Sequence, residues 1–352
     1  MRFAPLLLLW LSAGAAPAMP KLDHVYVIMM ENHSYDEVIG VPQLAPYLDR
    51  ISREGNLARA YFAVGHPSLV NYLEVVGGSN FGVANDAAPN WHGAFADTTL
   101  VKPITGAGTD HATPAALTGA TNGADIPAAP FTARTIGDQL IAAGRSWKTY
   151  QEDLPASGPD RVDYSDGIFS NLSPVPALSV QRRYAVKHDP FAYFAHWQSG
   201  ALAQHAVGFD GIDGLYADLR AGATPAFSFI VPEQCRDMHG LPDAGPLCLA
   251  DSTLIMTGDR AVEGIVAAIR RAPGWKSGKN AIVILWDEND FSTHPNRVGF
   301  IVLTSYGAGG RASDVPYNHY SFLRTLEEAF GLPCLNHACD ATSKIMTDLF
   351  AP

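Results

Sequence analysis

Residues 24–33, His-Val-Tyr-Val-Ile-Met-Met-Glu-Asn-His, decide how the rest of the chain reads. Positions 24–30 form a compact apolar run rich in Val and Ile, the pattern of a strand buried on both faces. It stops abruptly at Glu31-Asn32-His33. The same figure returns twice. Residues 226–231 (AFSFIV) precede Asp237 and His239, and residues 281–286 (AIVILW) run directly into Asp287-Glu288-Asn289-Asp290. Residues 298–304 read as a further strand.

Helical patterns fall between these strands. Val262, Ile265, Val266 and Ile269 recur at helical spacing, with Asp259 placed to cap the helix and Pro273 to stop it. Another helix follows Thr135, with Ile136, Leu140 and Ile141 inward and Gly144 as its stop. A last one runs from about His319 to Phe330 and ends at Gly331. Strands alternating with helices of this length predict an α/β fold: a mostly parallel central sheet with helices on both faces. Residues 85–131 are rich in Ala, Gly, Thr, Pro and Asn with weak periodicity, and residues 155–208 are also loop-rich. Both are expected as insertions, the first as a cap over the active face. No internal repeat or low-complexity linker divides the chain, so residues 19–352 are expected to form a single domain.

At the N-terminus, Arg2, the apolar run Leu6 to Leu11 and Ala16-Pro17-Ala18 have the layout of a signal peptide cut after Ala18. The run is too short to span a bilayer, and no later segment offers roughly 20 uninterrupted apolar residues. A secreted or periplasmic product without a stable membrane anchor is expected, with an uncleaved N-terminal anchor as the alternative. The formal charge of −11, with no Lys/Arg run, argues against nucleic acid or an anionic membrane as partner. A small anionic substrate stays compatible, because a bound metal reverses the local sign. The four cysteines (Cys235, Cys248, Cys334, Cys339) allow three pairings, of which the local pairs 235–248 and 334–339 close the shortest loops. Neither spacing is that of a zinc finger.

In an open parallel sheet, ligands bind beyond the carboxyl ends of the strands. The polar clusters at Glu31-Asn32, Asp237/His239 and Asp287-Glu288 all follow strands, and their oxygens suit a hard cation. Each alone also reads as an ordinary turn or polar strand end. His319 opens the last helix, where it would cap, pack, or join Asp237 and His239 in a second site of two imidazoles and a carboxylate. The nucleophile candidate is Ser68, in Gly65-His66-Pro67-Ser68-Leu69-Val70-Asn71-Tyr72. Pro67-Ser68 suits a helix start, where the dipole favours an alkoxide and an approaching anion. The bland alternative is that Ser68 is only a cap. Gly65-His66-Pro67-Ser68 lacks the Gly-x-Ser-x-Gly elbow of the serine esterases.

Taken in order, ENHSYDEVIG, GHPSLVNYLEVVGGSNFGV, SWKTYQEDLP, VKHDPFAYF, VPEQCRDMHG, ILWDEND and NHYSFLRTLEEAFGLP resemble the phosphoesterase family of bacterial acid phosphatases and phosphatidylcholine-type phospholipases C. That family looks like a branch of the alkaline phosphatase superfamily, and the resemblance covers nearly all of residues 21–350. It implies a divalent metal ion (Zn, Mg, Ca or Mn) held by Glu31, Asn32, Asp287 and Glu288 and reached by Ser68. It also implies Asn71 on a phosphate oxygen, and Asp237, His239 and His319 as a second metal site or as phosphate ligands. Some relatives carry Asp-Asp where this chain has Asp287-Glu288.

The implied reaction is attack by Ser68 on a small phosphoester, followed by hydrolysis of the phosphoserine. The leaving oxygen would be protonated from the Asp237/His239/His319 group. Acid phosphatase action on monoesters is the first expectation. The alternatives are a phospholipase C, with the aromatic run from Tyr184 to Trp197 shaping a lipid groove, and a non-catalytic metal-binding module.

Overall fold

A computed structural model of the chain describes residues 18–83, 86, 131–154, 183–197, 201–241, 244–291, 293 and 295–352. The expected signal segment, and most of both stretches expected as insertions, lie outside the described residues.

Among the described residues there are ten strands: β1 (His24–Met30), β2 (Asn56–Ala58), β3 (Tyr61–Phe62), β4 (Trp147–Gln151), β5 (Ala206–Val207), β6 (Phe227–Val231), β7 (Asn280–Trp286), β8 (Phe300–Thr304), β9 (Ala312–Ser313) and β10 (Tyr317–Asn318). Eight of them form one sheet in the order β5-β4-β6-β1-β7-β8-β2-β9, and β10 pairs with β3 separately. β1 lies at the centre, parallel to β6 (Val25↔Phe227) and to β7 (Val27↔Val283). From Val25 to Met30 every residue of β1 is buried, as is all of β7, which is what a strand covered on both faces requires. β8 runs antiparallel to β7 and β2, so the sheet is mostly parallel with one reversed strand. Val298, expected inside that strand, instead makes an isolated bridge to Ser34.

Among the described residues the α-helices that accompany the sheet are α1 (Tyr35–Val38), α2 (Pro46–Glu54), α3 (Ser68–Gly77), α4 (Ile136–Ala142), α5 (Leu215–Ala221), α6 (Asp251–Arg271), α7 (His319–Phe330) and α8 (Thr347–Phe350). α6 starts at Asp251, well before the expected cap, because Leu254 and Ile255 continue its buried face upstream. Asp259 caps a different helix. Its carboxylate accepts the N–H groups of Tyr47 (3.2 Å) and Leu48 (2.7 Å) at the start of α2, whose own N-cap, Ala45, offers no side-chain acceptor. α4 follows Thr135 as expected, with Thr135 as its cap, but the buried face passes through Gln139 and leaves Ile141 half exposed. α3 ends at Gly78, which has φ +73°. A Cβ there would meet the Leu335 carbonyl oxygen at 2.6 Å, so only glycine fits.

Both local disulfides form, Cys235–Cys248 and Cys334–Cys339. The first ties the loop after β6 to the segment leading into α6. Tyr184, Phe191, Tyr193, Phe194 and Trp197 are all buried in the main core, which Trp147 and Phe229 share. Hence this aromatic run is packing, and it does not form the lipid groove considered from sequence. Among the described residues no helix is long and apolar enough to cross a membrane.

Candidate active site

β6, β1 and β7 are adjacent and parallel, so their carboxyl ends deliver Asp237, Glu31-Asn32 and Asp287-Glu288 to one edge of the sheet. Backbone bonds fix the assembly: Glu31 N donates to the Asp237 carbonyl (2.8 Å) and Asp287 N to that of Met30 (3.0 Å). Asn32 sits in the left-handed region at φ +50°, unusual for a residue with a side chain, and its N–H donates to Asp287 Oδ1 at 3.3 Å.

Ser68 is the first residue of α3, and Pro67 is the cap residue, so Ser68 does not serve as the cap. Its hydroxyl donates instead to Glu31 Oε2 at 3.0 Å, with both groups buried. One turn on, Asn71 Nδ2 donates to Glu288 Oε2 (3.0 Å) and to the Gly65 carbonyl (2.9 Å), while its Oδ1 accepts the Gly65 N–H (3.0 Å). Asn71 therefore joins the turn before Ser68 to the end of β7. His66 lies here too. Its Nε2 accepts from Asn296 Nδ2 (3.0 Å), which puts the ring proton on Nδ1, 2.8 Å from Glu288 Oε2. The ring stacks on Phe291 at 3.8 Å.

Asp237 and His239 come together, through the His239 N–H donating to Asp237 Oδ1 at 2.7 Å. His319 does not join them. Its Nε2 donates to the Asp287 carbonyl oxygen (2.7 Å) and its Nδ1 accepts from the Tyr61 hydroxyl (2.9 Å), so both ring nitrogens are engaged behind the end of β7. The second imidazole beside Asp237 is His188, to which the sequence assigned no role. Its Nδ1 is 3.2 Å from Asp237 Oδ2 and its Nε2 is 3.1 Å from Glu31 Oε1. Tyr72 stacks on it at 5.1 Å. His188 comes from the 3-10 turn Val186–His188, and the sign available in the sequence was the charged Lys187-His188-Asp189 inside an otherwise aromatic stretch.

Lys187 was missed as well. Its ammonium donates to His239 Nε2 (2.9 Å) and to Asp86 Oδ2 (2.8 Å). His239 Nδ1 lies 2.6 Å from the Gly240 carbonyl, so it carries the ring proton and leaves the Nε2 lone pair for Lys187.

The electrostatics follow from burial. Desolvation pushes the Glu31 carboxyl up to about 7, against the pull of Lys187, and drives Asp237, Asp287 and Glu288 well above their ordinary range. Burial lowers His188 well below its ordinary value, His239 to about 3 and His319 to about 4. For Lys187 burial pulls down, but Asp86 and Glu31 outweigh it and keep the ammonium charged.

So many buried carboxylates are costly unless a cation shares them. Asn32 Oδ1 and Asp287 Oδ2 are buried and accept no hydrogen bond. Glu31, His188 and His239 present ligand atoms within 4.8 Å of one another, although the His239 Nε2 lone pair is already taken by Lys187. The donor set, oxygen-rich with imidazole at one side, fits a divalent cation. A cleft of about 190 Å³ bordered by Asn32, His33, His239 and Phe291 opens beside it.

The phosphoesterase family model matches residues 41–333, which carry Ser68, Asn71, His188, Asp237, Asp287 and Glu288. The chain belongs to the Phosphoesterase family. As a family member it is a phosphoric ester hydrolase. It is 25% identical to a phosphatidylinositol-3-phosphatase of Mycobacterium tuberculosis, over 96% of this chain and 88% of that protein. It is 24% identical to a phosphate-repressible acid phosphatase of Penicillium chrysogenum, over 89% of this chain and 60% of that one. With a hemolytic phospholipase C of Pseudomonas aeruginosa it shares 27% identity, over 56% of this chain but only 32% of the other. Among solved structures, it is similar in fold to one from Bacteroides thetaiotaomicron tied to glycosaminoglycan metabolism. That likeness has a TM-score of 0.51 at 10% identity and covers 94% of this chain and 82% of that one. A Vibrio parahaemolyticus protein of the alkaline phosphatase superfamily gives 0.48 at 13% identity, over 92% and 71%.

Proposed function

We propose that this phosphoesterase is an exported, metal-dependent phosphomonoesterase in which Ser68 is the nucleophile. One observation carries the reading: the Ser68 hydroxyl, at the N-terminus of α3, donates to Glu31 Oε2 at 3.0 Å, beside the buried oxygens at the ends of β1 and β7. A serine used only as a cap would turn back to its own helix.

Glu31, Asn32 and Asp287 would hold the cation, with Glu288 beside it. When bound, a divalent ion supplies charge neutralisation and lowers the pKa of the serine hydroxyl. Ser68 Oγ forms the new bond to phosphorus as the bond to the leaving oxygen breaks; the serine proton goes to Glu31 Oε2, the acceptor it already faces, and the leaving oxygen takes a proton from solvent water. Asn71 Nδ2 keeps one proton on the Gly65 carbonyl and would exchange its bond to Glu288 for a phosphoryl oxygen, meeting the charge that develops there. Water then attacks the phosphoserine and restores Ser68. His319 acts by position, fixing the backbone of Asp287.

Monoesters are favoured over lipid diesters on two grounds. The aromatic run offered for lipid is buried in the core. The relatives matched over most of the chain are named phosphatases. Export rests on the N-terminal sequence pattern. The test is purified Ser68→Ala beside the parent on p-nitrophenyl phosphate, with and without chelator. Loss of turnover by three orders of magnitude or more, with folding retained, is expected for a missing nucleophile; turnover close to the parent's would end the reading.

A further inference from the structure

We infer that Lys187 anchors the phosphoryl oxygens of the substrate, forming with the Leu69 N–H a cradle shaped for a terminal phosphate group rather than a diester. This deepens the Ser68 reading and rests on it.

The proposed chemistry leaves a buried ammonium unused. Lys187 is only 6% exposed, and it stands on the turn Val186–His188, which packs against α3. Asp86 bridges two donors with one carboxylate. Its Oδ2 accepts from Lys187 Nζ at 2.8 Å, and its Oδ1 accepts at 2.9 Å from the N–H of Leu69, the residue after Ser68. Two anionic oxygens therefore already lie next to the nucleophile, one on a helix N-terminal N–H and one on a cation. Two oxygens of a phosphoryl group present the same pair of acceptors with more charge. Asp86, with its side chain 31% exposed, lies on the solvent side of Lys187, where an incoming anion would displace it.

The ammonium is aimed. His239 gives its Nδ1 proton to Gly240, so its Nε2 lone pair accepts one Lys187 proton, and the loop carrying His239 is tied down by Cys235–Cys248. A phosphomonoester places an unesterified, charged oxygen against this buried cation. A diester has fewer such oxygens and only one negative charge to set against the ammonium. The competing account is that Lys187 only offsets the charge of Glu31 and Glu288. That account predicts equal losses on every substrate and no special effect on phosphate.

The experiment uses the metal-loaded full chain. It measures kcat/KM for p-nitrophenyl phosphate and for bis(p-nitrophenyl) phosphate, the competitive inhibition constant of inorganic phosphate, and thermal stability. For Lys187→Met, monoester kcat/KM and phosphate affinity are expected to fall roughly tenfold to a hundredfold, as for loss of a charged hydrogen bond, with a smaller loss on the diester. Lys187→Arg should recover part of the loss. Asp86→Asn, which weakens the internal competitor without touching the cradle, should bind phosphate several-fold more tightly. An unchanged phosphate constant in folded Lys187→Met, or equal losses on both esters, overturns the inference. Should Lys187→Met fail to fold, unchanged or weaker phosphate binding by Asp86→Asn overturns it equally. Ser68→Ala separates the two levels. Retained turnover there sinks the nucleophile, whereas lost turnover with phosphate still bound by calorimetry confines any failure to Lys187.

Discussion

Replacing Glu31 by glutamine should stabilise the metal-free protein at alkaline pH and destabilise the metal-loaded one. Glu31 is fully buried, and burial raises its carboxyl from 4.5 to about 7. The difference is about 2.5 pKa units at about 1.36 kcal/mol each, so ionising it in the folded, metal-free state costs on the order of 3 kcal/mol. The folded value lies above the unfolded one. The protonated carboxyl's contribution is therefore intact below pH 4.5 and is lost as pH rises to 7. His188, His239 and His319 run the other way. Their folded values are depressed, so their contribution is present above pH 6.5 and lost as pH falls. Comparing parent with Glu31→Gln at each pH cancels the histidines. In chelator the two should melt together near pH 4.5, and by pH 8 the variant should be more stable by about 3 kcal/mol, a rise of roughly 4 °C in Tm for a chain of this length. Saturating divalent metal should reverse the order, because binding stabilises the parent in proportion to its affinity and the variant less. Thermal melts monitored by circular dichroism across pH, with and without metal, decide it. A parent at least as stable as the variant in chelator at pH 8 would refute the claim that Glu31 sits desolvated and waiting for a cation.

Asn71→Ala should lower kcat on p-nitrophenyl phosphate by about a hundredfold, as for loss of a donor to a transition-state oxygen. A change in KM alone would count against its placement on the phosphoryl group. Asp259→Ala should cost about 1–2 kcal/mol in urea unfolding by uncapping α2, while leaving kcat/KM unchanged. An unaltered unfolding midpoint would show that the capping bonds contribute nothing.

The sheet was legible because burial on both faces leaves a direct trace. Only an uninterrupted apolar run of strand length satisfies it, and residues 24–30, 226–231 and 281–286 each have one. The polar residues ending those runs were legible for the same reason, since a carboxylate directly after a buried strand stands out. Helix ends were less so. Asp259 looked like a local cap because sequence shows only local partners, yet it serves α2, more than two hundred residues earlier. His319 looked available for Asp237 and His239 until Tyr61 and the Asp287 carbonyl were seen to hold its ring.

The layered α/β architecture, the central strands and the local disulfides were legible in the chain alone, and the strand-end acids and Ser68 stood out there as candidates for chemistry. These depend on periodicity and on near neighbours in the chain. Which side chains meet at the carboxyl ends of the sheet emerges only from the three-dimensional packing. His188 bridges Glu31 and Asp237, His66 meets Glu288, and Lys187 with Leu69 holds Asp86. These contacts join elements far apart in sequence, and what fixes them is the packing of α3 and the turn at Val186–His188 against each other over the carboxyl ends of the sheet. No spacing along the chain encodes that packing. It follows from the shapes of the apolar faces that bury one another, and those shapes set which charged groups are left facing inward.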